Sequence, residues 1–398
     1  VMVQYADTVI LATVVASKEP VNGQDFFPLQ VEYREKTAAA GKIPGGFIKR
    51  EGRPTEKEIL SARLIDRPIR PMFPEGFKNE TQVMITVFSS DQENDADILG
   101  AFGASAALMI SDIPFNGPVS EVRVGRIEGQ FIINPTFSQL EKSDMDITVA
   151  GTKDSIVMVE GEGKEISEQD MIDALQFAQE NISKLCQLQI DLMQDISKPK
   201  RDFQIDKLKT QLIPIINEKA REKIRAITHK IMTKDERSKE KDEILNSVIE
   251  TLCNEIGNYS LTLDTKDDLT LKENPALFVE SKNYLISEII HDIEYEEMRE
   301  MILKEGKRLD GRGVKDIRPI TCEVGILPRT HGSALFTRGE TQSLTTATLG
   351  TKMDEQILDG LLPESTKRFM LHYNFPPYST GEVGKIGGIG RREIGHGN

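Results

Sequence analysis

The segment LQVEYREKTAAAG, residues 29–41, has a counterpart in FMLHYNFPPYSTG, residues 369–381. In both, a tyrosine stands eight positions before the glycine that closes the segment. A second pair follows the same order, because YADTVILATVVAS (5–17) matches RGETQSLTTATLGT (338–351). Self-similarity in a fixed order indicates one structural unit used twice. The sequence therefore predicts two copies of one domain.

Basic residues follow each copy in nearly the same register. Gly41 stands nine residues before Arg50, and Gly381 stands ten residues before Arg391. The repeat therefore predicts that the two basic segments are structural equivalents.

Strand-like and helix-like patterns alternate over residues 1–200, which favours an α/β or an α+β domain. We predict strands near 1–16, 26–34, 81–88, 119–134 and 144–159, and helices near 54–66, 94–111 and 167–195. The best supported helix has Pro54 at its start, and Glu56 and Glu58 in its first turn suit the positive end of the helix dipole. Pro68 is expected to end it.

The pattern changes near residue 203 to long amphipathic runs with apolar residues at helical spacing, and strand-like segments return after Arg308, including FMLHYNF (369–375). We therefore predict a domain over 1–200, an all-helical domain over 201–304 and the second copy over 305–398.

The chain of 398 residues carries 50 Lys and Arg against 64 Asp and Glu, a formal charge of −14. Nucleic-acid binding proteins usually carry a positive surface, so any contact with a polyanion must be local. The segment from Lys42 to Arg53 offers such a place, since Glu51 is its only acid. The chain has no apolar run of about 20 residues, the length that a membrane helix needs, so we predict no membrane insertion.

Three scattered cysteines favour reduced thiols and a cytoplasmic protein over a disulfide framework. The chain starts without methionine or a secretory signal, directly in a strand pattern. It closes in a glycine-rich loop, GKIGGIGRREIGHGN (384–398). We expect both ends to be cut inside a domain.

Several ordered motifs resemble bacterial polynucleotide phosphorylases: FFPLQVEYREKTAAAGKIPGGFIKREGRPTEKEILSARLIDRPIRPMFPEGF (26–77), RLDGR (308–312), GILPRTHGSALFTRGETQSLTTATLGT (325–351) and HYNFPPYSTGEVGKIGGIGRREIGHG (372–397). The resemblance covers nearly the whole chain and is weakest in the helical part. It implies an α+β fold with two RNase PH-like β-α-β-α domains, the second incomplete, joined by an all-helical domain. It also implies a homotrimeric ring with a channel for single-stranded RNA, and trailing KH and OB-type domains.

The activity that the resemblance implies is phosphorolysis, in which inorganic phosphate releases nucleoside diphosphates from the RNA 3′ end in a reversible reaction. This makes the expected protein a polyribonucleotide nucleotidyltransferase, an exoribonuclease of RNA and mRNA degradation. It implies Mg²⁺ or Mn²⁺ as cofactor and phosphate as co-substrate. A helicase and an endoribonuclease of the RNA degradosome are implied partners.

Residues of the second copy match the family's phosphate-contacting motif. By this resemblance, Arg391 and Arg392 contact the terminal RNA phosphate or the attacking phosphate, a task for which bidentate guanidinium groups are suited. An exposed ion pair with acids elsewhere in the trimer is the alternative. His396 occupies a motif position that implies contact with phosphate or the RNA end, with structural packing as the alternative.

The first copy contains the counterpart of the family's phenylalanine-arginine loop, here FIKREGR (47–53). The resemblance implies that Phe47 stacks on a base while Lys49, Arg50 and Arg53 follow the RNA backbone. Ile48 and Lys49 replace the usual second phenylalanine and first arginine, which puts a second stacking ring in doubt. A solvated basic loop is the alternative.

Two questions remain open at this level. Arg67 and Arg70, among prolines, either contact RNA or belong to a rigid turn, and the turn is the preferred interpretation. The family's metal ligands and serine-rich loop are expected beyond Asn398, so we assign no metal ligand and expect this fragment to be inactive alone. The alternative function is a non-catalytic RNA-binding ring subunit or scaffold.

Overall fold

The computed structural model describes residues 1–21, 24, 26–45, 47–203, 207–263, 265–384 and 387–397. It forms two compact units, here called unit 1 (1–203 and 351–398) and unit 2 (204–350). The domains 1–200, 201–304 and 305–398 remain a prediction, because compact units do not by themselves define the copies of a repeat.

The strands are β1 (Met2–Tyr5), β2 (Thr8–Ala16), β3 (Leu29–Glu35), β4 (Thr81–Ser89), β5 (Ser120–Ile127), β6 (Gln130–Ile133), β7 (Met145–Gly151), β8 (Ile156–Gly163), β9 (Ile320–Val324), β10 (Gly332–Arg338), β11 (Thr341–Ala347), β12 (Gln356–Leu358) and β13 (Ser365–Lys367). The α-helices are α1 (Glu56–Ile69), α2 (Ala96–Ile110), α3 (Phe137–Leu140), α4 (Glu168–Ile196), α5 (Lys207–Thr228), α6 (Lys234–Glu255), α7 (Thr265–Glu273), α8 (Pro275–Ser281), α9 (Asn283–Glu305) and α10 (Arg391–Gly397). Short 3₁₀ turns lie at 37–40, 70–72, 256–258, 352–354 and 377–380. This content confirms the predicted α+β class.

The first sheet of unit 1 has the strand order β1-β2-β4-β3, and only the β3–β4 pair is parallel. Along β4, Val83 and Ile85 face inward while Gln82 and Met84 face outward, as the two-residue period of a strand requires. Helix α1 packs on β3 and helix α2 on β2, so that the core lies between the sheet and these two helices.

Helix α1 begins two residues later than predicted, at Glu56, so that Pro54 precedes the N-cap residue Thr55, and it also ends later. The Thr55 hydroxyl accepts from the Glu58 amide and Glu58 accepts from the Thr55 amide, which forms a capping box. Pro68 lies inside the helix, which ends one residue later at Ile69. The predicted end near residue 66 was therefore three residues short, because a proline costs a backbone hydrogen bond without forcing an immediate stop.

The second sheet of unit 1 is antiparallel with the order β6-β5-β7-β8. Each of the two long predicted strands, 119–134 and 144–159, is a hairpin in the structure. A turn at Glu128 and Gly129 separates β5 from β6, and both residues have left-handed backbone angles. Helix α4 covers β5 and β7 and buries Ile182 and Cys186 against them.

The predicted repeat is visible in local geometry. The 3₁₀ turns 37–40 and 377–380 both end in a glycine with left-handed backbone, Gly41 (φ 67°) and Gly381 (φ 75°), which a glycine adopts without steric cost. The hairpins β1–β2 and β10–β11 both close with two-residue loops. Matching segments of the sequence thus form matching local structures.

Residues 369–375 differ from their predicted strand conformation, since none of them is in a strand. Their counterpart in the first copy, β3, is a strand because it pairs with β4 along its whole length. Within the described ranges no strand pairs with 369–375. An extended sequence pattern becomes a strand only where a neighbouring strand satisfies its backbone groups.

Unit 2 contains the predicted helices, α5–α9, with a core that includes Ile216, Leu252 and Ile290. The buried Glu297 carboxylate on α9 receives Arg221 Nη1 (2.8 Å) and Arg225 Nε (2.7 Å) from α5. Unit 2 also contains the antiparallel sheet β11-β10-β9. In the part of the chain that is described, no helix has both the length and the apolar character needed to cross a bilayer.

Candidate functional site

Helix α10 carries the three residues that the sequence predicts for phosphate contact. Arg392 and His396 are one helical turn apart, and Arg392 Nε lies 3.4 Å from His396 Nε2. The His396 ring packs on Tyr373, with ring centroids 4.9 Å apart, and Tyr373 is stacked on Phe375. Arg392 and His396 are both exposed. The structure therefore brings a cation, an imidazole and two aromatic rings together at the surface of unit 1.

The Glu393 carboxylate fixes the start of α10. It accepts hydrogen bonds from the backbone amides of Phe375 (2.9 Å) and Gly390 (2.8 Å). These two bonds lower the pKa of Glu393, the Phe375 bond most strongly. Glu393, which lies between the arginines and the histidine in the sequence, therefore uses its carboxylate to orient the helix.

Arg391 has different surroundings from its neighbour. Its Nη1 donates to the Val31 carbonyl oxygen at 2.7 Å, and its Nη2 forms an ion pair with Glu32. Both partners belong to β3 of the first copy. The predicted arginine pair is therefore divided: both side chains are exposed, but Arg391 is bound to β3, whereas the polar contact of Arg392 in the described structure is with His396.

Arg63 on α1 is a neighbouring cation that the sequence analysis missed. An ideal Cβ built at Gly395 would lie 2.3 Å from Arg63 Nε, so the arginine crosses directly over α10. Seven residues earlier on α1, Glu56 pairs with Lys367 at 2.8 Å. Since residues seven apart lie on one helical face, the spacing of Glu56 and Arg63 could have indicated a common surface for the second copy.

The loop of the first copy presents its predicted RNA-contacting residues to solvent. Phe47, Lys49, Arg50 and Arg53 are exposed, and Phe47 completely so. Among the described residues, the side chains of Lys49, Arg50 and Arg53 have no hydrogen-bond or ion-pair partner. No hydrogen bond or ion pair in the described structure joins this loop to α10, so the two predicted groups of site residues remain separate clusters.

One end of this loop is anchored by a segment of the second copy. Lys42 Nζ donates to the carbonyl oxygens of Gly360 (2.9 Å) and Leu362 (2.5 Å), and Gln92 Nε2 donates to that of Leu361 (2.6 Å). The Leu361 side chain is 5% exposed and belongs to the core beneath. Lys42 is therefore a structural cation.

Arg67 and Arg70 have protein partners, as the preferred interpretation requires. Arg67 forms an ion pair with Glu160 of β8. Arg70 binds Asp66 (Nη2 to Oδ1, 2.7 Å) and donates to the Leu29 carbonyl oxygen at 3.1 Å. Arg67 thus links the last turn of α1 to β8, and Arg70 links the turn after α1 to Asp66 and Leu29.

A buried charge network near the start of α2 was also missed. Arg123 Nη1 donates to Asp95 and Nη2 to Asp97, each at 3.1 Å, and Lys57 Nζ lies 3.2 Å from Asp95. Glu121 is completely buried, and its carboxylate has no hydrogen-bond partner in the described structure. These cations are already neutralised by carboxylates, which makes the network a connection between α1, α2 and β5.

Burial dominates the ionisation of this network. Loss of water raises the pKa of Asp97 to about 6, and the charge of Asp95 adds to the effect. Burial also raises the pKa of Glu121 well above its usual range. Asp95 responds in the opposite direction, because Lys57 and Arg123 outweigh its burial and lower its pKa.

A site for a divalent metal ion would need several carboxylate, imidazole or thiolate donors close together. In the described ranges, no group of three or more His, Cys, Asp or Glu residues is arranged to hold a metal ion. Glu32, which pairs with Arg391, and Glu393 of α10, which accepts from backbone amides, already have these partners. These residues do not fit a metal site.

Comparison with known families agrees with the repeat. The profile of the "3' exoribonuclease family, domain 1" matches two segments, 1–114 and 316–398, and that of domain 2 matches 117–181. The profile "Polyribonucleotide nucleotidyltransferase, RNA binding domain" matches 211–313. These matches confirm two RNase PH-type segments around a helical domain.

Similar curated proteins extend along the whole chain. A polyribonucleotide nucleotidyltransferase of Chlorobaculum parvum is 54% identical over 401 residues, covering 100% of this chain and 53% of that protein. Proteins of the same name from Chlorobium phaeobacteroides and Chlorobaculum tepidum are 52% and 53% identical, again over 100% of this chain and 53% and 54% of theirs. The chain thus spans about half the length of these relatives. It belongs to the polyribonucleotide nucleotidyltransferase family.

Proposed function

We propose that the protein containing this chain is a phosphorolytic 3′–5′ exoribonuclease that acts on single-stranded RNA. Inorganic phosphate is its co-substrate, nucleoside diphosphates are its products, and the reaction is reversible. One observation carries the proposal: relatives named polyribonucleotide nucleotidyltransferase match this chain from end to end at 51–54% identity, with the predicted site residues inside the matched region.

The reaction joins two anions, and the exposed cations suit that task. An oxygen of inorganic phosphate forms a bond to the phosphorus of the terminal phosphodiester. The bond from that phosphorus to O3′ of the preceding nucleotide breaks, and this O3′ takes up the proton of the attacking phosphate. Arg392 lowers the repulsion between the two anions by charge-assisted hydrogen bonds.

The surroundings of Arg392 suggest how the roles divide. His396 lies beside Arg392 and Arg63 lies against Gly395 of the same helix, and both contact the phosphate or the RNA end. Arg391 instead holds α10 on β3 through Val31 and Glu32. A guanidinium already paired with a carboxylate has less to offer a phosphate, because its charge is partly neutralised. Arg391 therefore orients α10 and does not bind the phosphate itself.

The RNA approaches along the exposed loop of the first copy. Phe47 stacks on bases, and Lys49, Arg50 and Arg53 follow the backbone, an arrangement that tolerates any base sequence. The family profile over 211–313 is described as an RNA-binding domain, which supports a further contact on the helical part.

Cofactor and assembly are part of the same proposal. The cofactor is Mg²⁺ or Mn²⁺, which would reduce the charge of the reacting phosphates. The functional assembly is a cytoplasmic homotrimer, which a helicase and an endoribonuclease of the RNA degradosome join. Sedimentation tests the trimer, since a monomer at micromolar concentration would contradict it.

The activity is tested with a 5′-labelled oligo(A), with and without inorganic phosphate, on the protein that carries this chain. We expect shortening from the 3′ end and release of ADP only when phosphate is present. Release of AMP without phosphate would indicate hydrolysis and refute the proposal. RNA binding without shortening would instead support the non-catalytic scaffold.

A further inference from the structure

Glu51 is the only acid between Lys42 and Arg53, and its carboxylate is bound to Lys36 and Thr37. Its Oε1 accepts from the Thr37 amide (3.0 Å) and from the Thr37 hydroxyl (3.2 Å). Its Oε2 pairs with Lys36 Nζ at 2.6 Å. The acid of the basic loop is therefore bound to the 3₁₀ turn 37–40.

This contact replaces a missing cap. Lys36 precedes the turn and makes no side-chain hydrogen bond to cap it. The first amides of a helical turn have no partner within the turn and need an external acceptor. Glu51 supplies that acceptor from 14 positions further along the chain, and the turn in return fixes Glu51.

A second bond holds the next residue. Arg34 Nη2 donates to the Gly52 carbonyl oxygen at 2.7 Å. At the other end of the loop, Lys42 is bound to the carbonyl oxygens of Gly360 and Leu362. The described residues of the tip, 43–45 and 47–50, therefore lie between two anchored positions.

The anchoring also sets the charge that the tip presents. Glu51 is neutralised by Lys36 beside the turn, while Lys49 and Arg50 have no protein acid bound to them in the described structure. The hydrogen bond from Lys36, more than any other contact, lowers the pKa of Glu51, so the carboxylate stays charged well into the acid range.

We propose that Glu51 is a positioning residue that fixes the base of the loop 42–53 and so directs Phe47, Lys49 and Arg50 toward single-stranded nucleic acid. The inference rests on the proposed function, because it assigns RNA to the loop. It adds that the acid within the basic segment strengthens RNA binding, although its charge repels a polyanion.

Two opposite expectations make the test decisive. If Glu51 acted only through its charge, Glu51→Ala would tighten binding, because it removes a negative charge near phosphate. If Glu51 positions the loop, the same change weakens binding. We expect a loss of about fivefold, the factor that corresponds to one capping interaction.

The chain has no tryptophan, so Phe47→Trp adds a fluorophore at the loop tip, and the same protein with Phe47 retained supplies the background signal of tryptophans elsewhere. In this background, Glu51→Ala should lower the tryptophan anisotropy without RNA, because the tip moves more freely. Glu51→Gln retains the acceptor for Thr37 and loses the charge that pairs with Lys36. Its tryptophan anisotropy should therefore lie between that of Phe47→Trp alone and that of Phe47→Trp with Glu51→Ala. Binding of fluorescein-labelled oligo(A) to the protein carrying this chain gives the affinities.

Glu75→Ala is the matched control, since it removes an exposed acid outside the loop. It should leave the anisotropy unchanged and bind RNA at least as tightly as the parent. Glu51→Ala with unchanged anisotropy and unchanged or tighter binding would overturn the inference. The anisotropy does not depend on RNA, so a failure of the proposed function, seen as no RNA binding by any variant, can be told apart from a failure of the positioning role.

Discussion

Gly395 lies against Arg63 so closely that a Cβ at this position would stand 2.3 Å from Nε and 2.6 Å from Cζ of the arginine. The atoms that would collide belong to the outer part of a flexible side chain, so the arginine rather than the backbone would give way. A glycine within a helix costs about 1 kcal/mol relative to alanine. The close approach of Arg63 is a physical reason for this glycine.

The first prediction concerns Gly395→Ala. The variant should fold with unchanged or slightly higher stability, while the displaced Arg63 raises the KM for phosphate by about tenfold, the factor for one weakened charge-assisted bond of ~1.4 kcal/mol. Phosphorolysis at varied phosphate concentration measures this. Arg63→Ala should raise KM similarly, and adding Gly395→Ala to it should have no further effect. Independent, additive effects would contradict this role for Arg63.

The second prediction separates the two adjacent arginines. Arg392→Ala should lower kcat/KM by about 100-fold or more, the range for loss of one electrostatic stabiliser of a transition state. Arg391→Ala should act first on stability, by about 1 kcal/mol, because it removes a partly exposed ion pair and a backbone hydrogen bond. Thermal unfolding and turnover measure the two effects.

Glu32→Gln is the control for this separation, since it leaves both arginines in place and removes the ionic partner of Arg391. Its stability should fall as in Arg391→Ala, but by less. The double variant of both arginines should lose activity by orders of magnitude. Equal loss of turnover in Arg391→Ala and Arg392→Ala, with folding intact, would show that both act on phosphate.

A third prediction concerns the salt dependence of RNA binding. Lys49→Ala or Arg50→Ala should each reduce the slope of log affinity against log salt by about 0.7, the value for one phosphate contact on a single strand. Phe47→Ala should leave the slope unchanged and weaken binding by ~1–3 kcal/mol, since it removes stacking only. Titrations of oligo(A) at several salt concentrations test both, and a change of slope in Phe47→Ala would be the contrary result.

The fourth prediction concerns the pH dependence of stability. The folded-state pKa of Asp97, about 6, lies above its unfolded value of 3.8, so the folded protein binds the proton more tightly and loses stability as pH rises between these values. Asp97→Asn removes this group. Relative to the parent, the free energy of unfolding of the variant should therefore improve between pH 4.5 and pH 7.

Asp112→Asn is the comparison for this measurement. Its hydrogen bond from Arg201 lowers the pKa of Asp112, so its contribution is present above the unfolded value and is lost only at more acid pH. The difference between this variant and the parent should stay flat from pH 4.5 to pH 7 in urea unfolding. A flat difference for Asp97→Asn as well would contradict the assigned ionisation.

Much of the fold could be predicted because it is encoded locally. The glycines after the two 3₁₀ turns, the polar residues that cap α1 and α4, and the apolar spacing of the helices act within a few positions of the chain. The hairpins within 119–134 and 144–159 were missed, because periodicity alone does not separate one long strand from two short ones. The prediction of a strand at 369–375 was also wrong, because a strand needs a neighbouring strand for its backbone hydrogen bonds and the sequence pattern does not show whether one is present.

In the candidate site, too, the sequence predicts what depends on neighbouring positions and does not predict contacts between distant ones. Phe47, Arg392 and His396 could be named from the sequence, because the motif that contains them is contiguous and the helix period places the last two on one face. The partners could not: the ion pair of Arg391 with Glu32 joins positions 359 apart, and the bond of Lys42 to Leu362 joins positions 320 apart.

The sequence by itself determined the repeat, the helical insertion and the chemical types available at each basic segment, since these depend on order and spacing. Only the tertiary structure decided which cations are free. A guanidinium or ammonium group binds the nearest acceptor in space, and that acceptor often lies hundreds of residues away along the chain. For this reason two neighbouring arginines with the same chemistry have different surroundings: Arg391 binds Val31 and Glu32 of β3, and Arg392 contacts His396.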